Sequence, residues 1–292
     1  MSPEGIRPDG LPSCESTGVV QQPAVALRDG RAIPQLGFGV YQIAPGDAAR
    51  AALGAALAAG YRHVDTAAVY RNEADVGTAI RASGLASESL WVTTKLANAD
   101  HGAATVRRAF EASLDRLGMD AVDLYLLHWP HELRLESWRV LEELHAEGLA
   151  RSIGVSNFLV HHLDELLASA SVLPAVNQIE LSPFLHRTRE DTLRRCAEEG
   201  IAIEAYSPLT KGRRLDDATV ASIADEVGRT PAQVLIRWSL QRGFVVLPRS
   251  SNPARIVENA AVFDFTLDDA QMAVLDALDE GLTTGWDPAG QA

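Results

Sequence analysis

The 292-residue sequence is poor in cysteine and in basic residues. Its two cysteines, Cys14 and Cys196, lie in different contexts, an amino-terminal segment and a helical pattern, so no disulfide framework is expected and a reducing, cytoplasmic setting fits. With 26 basic against 39 acidic residues, the net charge of −13 argues against a nucleic-acid-binding protein. No apolar run is long enough to cross a bilayer, and we find no secretory apolar region near the start, so no membrane partner is expected.

Several motifs of nucleotide and metal sites are also missing. Gly37 and Gly39 form a Gly-x-Gly pair, but no third glycine follows at the dinucleotide-binding spacing, and there is no Gly-x4-Gly-Lys phosphate loop. The histidines other than His128 show no metal-ligand spacing with suitable partners, so no metal site is predicted. The composition, 47% hydrophobic and 22% charged, is that of a globular protein with a sizeable core.

What the sequence does contain is a regular alternation of short β-prone runs with Ala-rich or amphipathic segments. Strands are predicted at 36–40, 62–65, 91–96, 124–128, 152–155, 175–180, 201–205 and 245–247. Helices are predicted, among others, at 47–59, 103–117, 135–147, 189–199 and 231–241. Eight strands alternating with helices over about 250 residues favour an α/β (β/α)8 TIM barrel, and a doubly wound sheet is the alternative.

The two ends of the chain differ from this pattern. Residues 1–22 carry Pro, Gly and Ser without apolar periodicity and are interpreted as a flexible extension. Asp29-Gly30 between two short apolar runs predicts an N-terminal β-hairpin. Since no repeat or linker divides the remainder, we predict one barrel domain over 23–292, with an extra C-terminal helix and tail.

Four ionisable residues lie where predicted strands give way to loops. Asp65 and Tyr70 follow one strand, Lys95 closes the next, and His128 closes a third. Because the carboxyl ends of parallel strands meet at one edge of a sheet, we expect these side chains to converge. Taken singly they have simpler interpretations: a helix cap, a half-buried aromatic, a solvated strand end and a core histidine. Their shared position favours a catalytic hypothesis.

Together, the four side chains suit the protonation of a carbonyl oxygen. Tyrosine has a pKa of about 10, so it exchanges a proton near neutrality only if its anion is stabilised. Lys95 can provide that stabilisation, and Asp65 can keep Lys95 charged. His128 can hold the substrate oxygen beside the Tyr70 hydroxyl. Reduction also needs a hydride, which no side chain provides, so a nicotinamide cofactor is implied.

The segments around these residues resemble, in order, the motifs of the aldo-keto reductases. They are Gly60-Tyr-Arg-His-Val-Asp65-Thr-Ala-Ala-Val-Tyr70-Arg-Asn-Glu73, Thr94-Lys95-Leu96, Leu127-His128-Trp129-Pro130, Gly154-Val-Ser-Asn157-Phe, Asn177-Gln178-Ile-Glu180 and Tyr206-Ser-Pro-Leu209. The resemblance extends over roughly 25–287 and is greatest to the bacterial 2,5-diketo-D-gluconate reductase-like branch. It implies a (β/α)8 barrel that reduces aldehydes or ketones, including dicarbonyls or keto-sugars, with NADPH. Asp65, Tyr70, Lys95 and His128 would form the catalytic tetrad, with Tyr70 as proton donor.

The resemblance also implies which residues bind the cofactor. The implied contacts with the nicotinamide are Ser156, Asn157, Gln178 and Tyr206. The implied contacts with the pyrophosphate are Ser207, Pro208, Leu209 and Lys211. The implied contacts with the adenosine and its 2′-phosphate are Arg249, Ser250, Ser251, Arg255, Glu258 and Asn259. The family more often has lysine at the position of Arg249, but arginine also pairs with phosphate, so NADPH is favoured over NADH.

The implied substrate pocket is aromatic. Tyr41, Trp129 and Trp286 match pocket-lining positions of the family, together with Tyr70 and His128, and would contact an apolar or planar carbonyl substrate. The connection after Trp129 is short, which predicts an open pocket with weak selectivity. A monomer is the form that the resemblance implies. Two alternatives stay open: a barrel that binds or senses NADPH without turnover, and a Schiff-base lyase that uses Lys95.

Overall fold

In the computed structural model, which describes residues 22–290, eight parallel strands are hydrogen-bonded in chain order. The barrel strands are β3 (Phe38–Gly39), β4 (His63–Asp65), β5 (Trp91–Leu96), β6 (Val122–Leu127), β7 (Ala150–Ser156), β8 (Val176–Glu180), β9 (Ala202–Tyr206) and β10 (Val245–Leu247). They are preceded by an antiparallel hairpin of β1 (Ala24–Ala26) and β2 (Ala32–Pro34). The predicted flexible extension at 1–22 lies, apart from residue 22, outside the described residues.

Helices connect the barrel strands, with further helices near the C-terminus. They are α1 (Asp47–Ala58), α2 (Glu73–Ala82), α3 (Val106–Leu117), α4 (Arg134–Ala146), α5 (Val160–Leu167), α6 (Glu190–Glu199), α7 (Ala218–Val227), α8 (Pro231–Gln241), α9 (Pro253–Ala260) and α10 (Asp269–Asp276). Helix α8 begins where predicted because Thr230 and Gln233 form a capping box ahead of Pro231. Within residues 22–290, no helix is long and apolar enough to cross a membrane.

The sheet closes between its first and last strands. Leu36 bridges Val246 in parallel, and the Val246 amide donates to the Gln35 carbonyl at 2.8 Å. A Cβ at Gly37 would lie only 2.6 Å from His63 Nδ1, so this seam requires glycine. The predicted (β/α)8 TIM barrel with an N-terminal hairpin is therefore confirmed, and the doubly wound alternative is wrong because the two outermost strands of the sheet are brought together into a nearly closed barrel.

The hairpin packs against the amino-terminal end of the barrel. Asp29 accepts a hydrogen bond from the Ser152 hydroxyl at 2.6 Å, and Arg31 pairs with Asp123 at 3.0 Å. Ile33 is fully buried in an apolar cluster with residues of β5, β6 and β10. The hairpin thereby occupies the amino end and leaves the carboxyl ends of the strands to build the site.

Most of the other predicted elements have at least one boundary that shifts by one to three residues, whereas β5, β10 and α8 have the predicted bounds. Strand β6 was predicted to include His128 but ends at Leu127, because the His128 carbonyl accepts a hydrogen bond from the Asn157 side chain at 3.0 Å. Helix α3 begins at Val106 rather than 103, since the Thr105 hydroxyl bonds the carbonyls of the preceding turn.

Candidate active site

A buried ion pair links β4 to β5 at the carboxyl end of the barrel. The Lys95 Nζ atom lies 2.7 Å from both carboxylate oxygens of Asp65 and 2.9 Å from the Thr66 carbonyl. Lys95 is fully buried and Asp65 is 4% exposed. A buried ammonium keeps its charge only when it is paired and hydrogen-bonded, and this arrangement meets both conditions.

Tyr70 lies beside this ion pair, in the single turn Ala68–Tyr70 that follows β4. Its hydroxyl is 3.5 Å from Lys95 Nζ. Burial raises the pKa of Tyr70 well above its usual value, and the carboxylate of Asp65 raises it further. Tyr70 is therefore protonated at neutral pH, which is the state that a proton donor requires. The adjacent Lys95 ammonium would stabilise the phenolate left after the proton is given up.

His128, directly after β6, is the fourth member of the group. Its ring packs edge-on against Tyr70 with the centroids 5.6 Å apart. Burial lowers the pKa of His128 well below its usual value, and the Lys95 charge lowers it further. The imidazole is therefore neutral, so it can donate a hydrogen bond without competing as the proton source. The structure thus brings all four predicted tetrad residues together.

Polar side chains at the ends of β7, β8 and β9 adjoin the tetrad. Ser156 donates to the Gln178 carbonyl at 2.8 Å, and Asn157 accepts from the Tyr206 hydroxyl at 2.9 Å. The Gln178 amide nitrogen donates to Asp65 at 2.8 Å. Asn157 has a positive φ of 65°, a conformation that asparagine tolerates better than most residues. These contacts fix the amide groups around the floor of a cavity.

The cavity itself has a volume of ≈ 700 Å³ and runs from the tetrad to helix α9. Asp65, Tyr70 and His128 line one end, and Glu258 and Asn259 line the other. The volume lies within the range of about 300–1,000 Å³ that is typical of small-molecule and cofactor sites. An elongated ligand with a reactive end and a distant recognition end would fit this shape.

A protein-family model described as the aldo/keto reductase family matches residues 35–280. The chain belongs to this family. An aldo-keto reductase from Mycobacterium sp. (strain MCS) is 50% identical over 277 residues, which cover 94% of this chain and 96% of that protein. Glyoxal reductase from Bacillus subtilis (strain 168) is 44% identical over 265 residues, covering 90% and 95%. The crystal structure of a Bombyx mori aldo-keto reductase in complex with NADP has a TM-score of 0.85 at 35% identity, covering 91% and 95%.

Membership of the aldo/keto reductase family makes this chain an NADP-dependent oxidoreductase that acts on carbonyl compounds. The cavity contains a suitable set of donors and acceptors for a nicotinamide dinucleotide. At its far end, Asn259 is 3% exposed, and its Oδ1 atom is buried without a hydrogen-bond partner within residues 22–290. Such an atom would accept a hydrogen from an exocyclic amino group like that of adenine.

The phosphate-binding residues expected of an aldo/keto reductase line the same region. They are Ser207, Pro208, Leu209, Lys211, Arg249, Ser250, Ser251 and Arg255. Ser207 and Lys211 have positive φ values of 51° and 52°, so the loop above the cavity holds a conformation that is costly for non-glycine residues. Asn252 caps α9 by accepting from the Ala254 amide at 2.9 Å, and Asn252 and Arg255 at this end of the helix line the cavity.

Two of these cations make contacts that the sequence did not indicate. Arg249 donates to the Tyr41 carbonyl at 3.0 Å and also to the Gln42 carbonyl. Lys211 donates to the Thr284 carbonyl at 2.8 Å. Each cation therefore touches both the predicted phosphate region and a loop that carries a predicted pocket aromatic.

The pocket aromatics lie at the mouth of the cavity. Tyr41 contacts Tyr70 with the ring centroids 5.0 Å apart, and Trp129 contacts Trp286 at the same centroid distance of 5.0 Å. Tyr41 is 48% and Trp286 is 56% exposed. The mouth is therefore apolar and open, whereas the floor is polar and closed.

Sequence reasoning missed one residue at the floor, Glu204 in β9. It is fully buried, and its carboxyl group lies 2.5 Å from the Gln178 amide nitrogen that also contacts Asp65. The available signal was an acidic residue inside an otherwise apolar strand, Ile201-Ala-Ile-Glu204-Ala205. Buried charged groups are rare enough to merit attention wherever an apolar strand contains one.

Proposed function

We propose that this protein reduces aldehydes and ketones to alcohols with NADPH, and that Tyr70 donates the proton. The observation that carries the proposal is the Tyr70 hydroxyl 3.5 Å from Lys95, which Asp65 holds at 2.7 Å on the floor of a cavity that runs from the tetrad to helix α9. General acid catalysis of this kind contributes roughly 10²–10⁴-fold to a rate.

In this mechanism the bound cofactor supplies a hydride. Neutral His128 and Tyr70 hold the substrate's carbonyl oxygen with their N–H and O–H groups. The proton passes from the Tyr70 hydroxyl to that oxygen while the carbon gains its hydrogen. Lys95 then stabilises the phenolate, and Asp65 keeps Lys95 charged throughout.

A preference for NADPH over NADH is supported by the cations and hydroxyls near α9. Arg249 and Arg255, with Ser250 and Ser251, form a set of donors suited to a 2′-phosphate. Asn259 and Glu258 would contact the adenine. Ser156, Asn157 and Gln178 would bind the carboxamide, with Tyr206 stacked on the nicotinamide ring.

The open mouth supports a broad range of carbonyl substrates. Only residues 130–133 separate Trp129 from α4, so no long loop from this connection covers the cavity. Dicarbonyls are within that range, and a relative named glyoxal reductase agrees with it. Keto-sugars of the 2,5-diketo-D-gluconate type are a narrower expectation. A narrow activity profile across chemically varied carbonyls would contradict the open-pocket prediction.

The experiment is NADPH oxidation over a panel of aldehydes, ketones and α-dicarbonyls, with NADPH deuterated at nicotinamide C4. We expect deuterium on the carbinol carbon of each product alcohol. Tight NADPH binding without product would instead favour a binding or sensing barrel. Borohydride-dependent attachment of a carbonyl substrate to Lys95 would favour the lyase alternative.

A further inference from the structure

The mechanism above gives no role to Glu204, a buried acid at the floor of the cavity. Glu204 is fully buried in β9, and its Oε2 atom lies 2.5 Å from the Gln178 Nε2 atom. The same nitrogen lies 2.8 Å from an oxygen of Asp65. Each of the two amide hydrogens of Gln178 therefore points at a carboxyl oxygen, and its own oxygen, Oε1, remains for another partner.

The second oxygen of Glu204, Oε1, faces a histidine. It lies 3.3 Å from His63 Nε2, which also lies 3.2 Å from the Thr93 hydroxyl, and it has no hydrogen-bond partner among residues 22–290. The other ring nitrogen, Nδ1, is 3.4 Å from the Pro34 carbonyl, which can only accept, so Nδ1 carries the hydrogen and Nε2 is an acceptor. An ionised Glu204 would leave Oε1 without a donor in this contact. A proton on Oε1 would supply a donor for this contact, which an ionised carboxylate cannot do.

The charges around Glu204 lead to the same conclusion. Lys95 and Asp65 neutralise each other, so an ionised Glu204 would be an extra buried negative charge. The other titratable groups that face it are His63 and Tyr70, and neither is positively charged. Burial raises the pKa of Glu204 to about 8, and the Asp65 charge also raises it, whereas the hydrogen bond from Gln178 and the charge of Lys95 lower it. Burial lowers the pKa of His63 to about 3.

We propose that Glu204 is a protonated, neutral carboxylic acid that positions Gln178 by accepting its amide hydrogen and is itself held by donating to His63. The amide oxygen of Gln178 is thereby directed into the cavity, where it would accept a hydrogen bond from the carboxamide of the nicotinamide. This last step rests on the proposed function. The protonation state of Glu204 does not.

The protonation state is tested in the cofactor-free protein by infrared difference spectroscopy between the native protein and Glu204→Gln. We expect the native protein at neutral pH to show the C=O stretch of one protonated carboxyl group that the variant lacks, and this band to disappear as the pH rises through about 8. The matched control is Asp123→Asn, which removes a buried carboxylate that faces arginines and should remove no such band. A difference spectrum containing only carboxylate bands at neutral pH would overturn the proposal.

The positioning role is tested by fluorescence titration with NADPH. Glu204→Leu removes an acceptor from Gln178 and should weaken NADPH binding roughly three- to tenfold. Glu204→Gln keeps an acceptor oxygen and should restore binding to within about twofold of the native value. Equal weakening in both variants would contradict positioning through Gln178. Absence of NADPH binding to the native protein would reject the proposed function, while the infrared result would still stand.

A pH profile separates a titrating role from a merely structural one. Ionised Glu204 would add negative charge near Tyr70 and make it a weaker acid. The single-turnover rate of NADPH oxidation should therefore fall in the native protein as the pH rises through about 8, and Glu204→Gln should keep its neutral-pH rate over that interval. Identical profiles in the two proteins would overturn the assignment, and the stability of Glu204→Leu has no bearing on this test.

Discussion

The two ends of the barrel each hold a buried aspartate, and the two aspartates differ in their partners. At the amino end, Asp123 of β6 accepts hydrogen bonds from Arg31 at 3.0 Å, Arg151 at 2.9 Å and the Val92 amide at 3.0 Å. The side chains of the two arginines are 37% and 43% exposed, so their charges remain partly hydrated. This end joins the hairpin to the barrel and uses ordinary partly exposed ion pairs.

At the carboxyl end, Asp65 faces a fully buried lysine instead. The Lys95 side chain has no exposed surface. Its Nζ atom also lies 3.5 Å from the hydroxyl of Tyr70, a residue that lines the cavity. A buried pair of this kind adds little net stability compared with apolar packing, so its presence is better explained by chemistry. The comparison shows that the same residue type serves stability at one end of a barrel and reactivity at the other.

The largest expected effect comes from separating the buried pair. Lys95→Met leaves Asp65 as an uncompensated buried charge and should lower the free energy of unfolding by about 3–5 kcal/mol. The double variant Asp65→Asn with Lys95→Met removes both charges and should recover most of that stability without recovering activity. Denaturant unfolding and NADPH oxidation measure the two properties. If the double variant is as unstable as Lys95→Met, the charge argument fails.

A smaller effect is expected at the amino end. Asp123→Ala leaves the Val92 amide and two arginines without their acceptor and should cost about 1–3 kcal/mol of unfolding free energy. Arg31→Ala removes only one partly exposed pair and should cost about 0–1 kcal/mol. NADPH oxidation per folded molecule should be unchanged in both. A loss of catalytic rate in either variant would mean that the two ends are coupled.

The last prediction concerns acid stability, which we assign to the carboxyl end; its effect is small at neutral pH and grows only as the pH falls. Burial lowers the pKa of His101 to about 4, and the neighbouring His131 and Arg134 add to this. Between about pH 6.5 and 4 the unfolded chain binds a proton at His101 and the folded chain does not, so stability falls as the pH falls. In His101→Gln, the pH dependence of unfolding free energy should be shallower by about 1 kcal/mol per pH unit. If the unfolding free energies of the native protein and of His101→Gln changed with pH to the same extent, the assignment would be contradicted.

Part of the fold and of the candidate site could be predicted from the sequence because the signals for these features are local. Strand β5 and helix α8 have the predicted bounds, since each is a continuous pattern with clear end signals. The convergence of the tetrad followed from a general property of parallel sheets, that polar residues at strand ends meet at one edge.

Other features depend on contacts that no local pattern encodes. Glu204 lies inside a strand buried on both faces, so no alternation of polar and apolar residues shows where its side chain points. The bond from Arg249 to the Tyr41 carbonyl joins residues 208 positions apart. Asp123 was overlooked because the predicted strand began one residue after it. Each of these features depends on the tertiary structure, because only the folded barrel places residues from distant parts of the chain side by side.

The most direct test of Tyr70 as the proton donor is Tyr70→Phe, measured for both NADPH binding and NADPH oxidation with a carbonyl substrate. The hydroxyl lies in the cavity and the ring remains in the variant, so binding should stay within a few-fold of the native value. The rate should fall by roughly 10²–10⁴-fold. Retention of most of the native rate, with binding intact, would contradict the role that we assign to Tyr70.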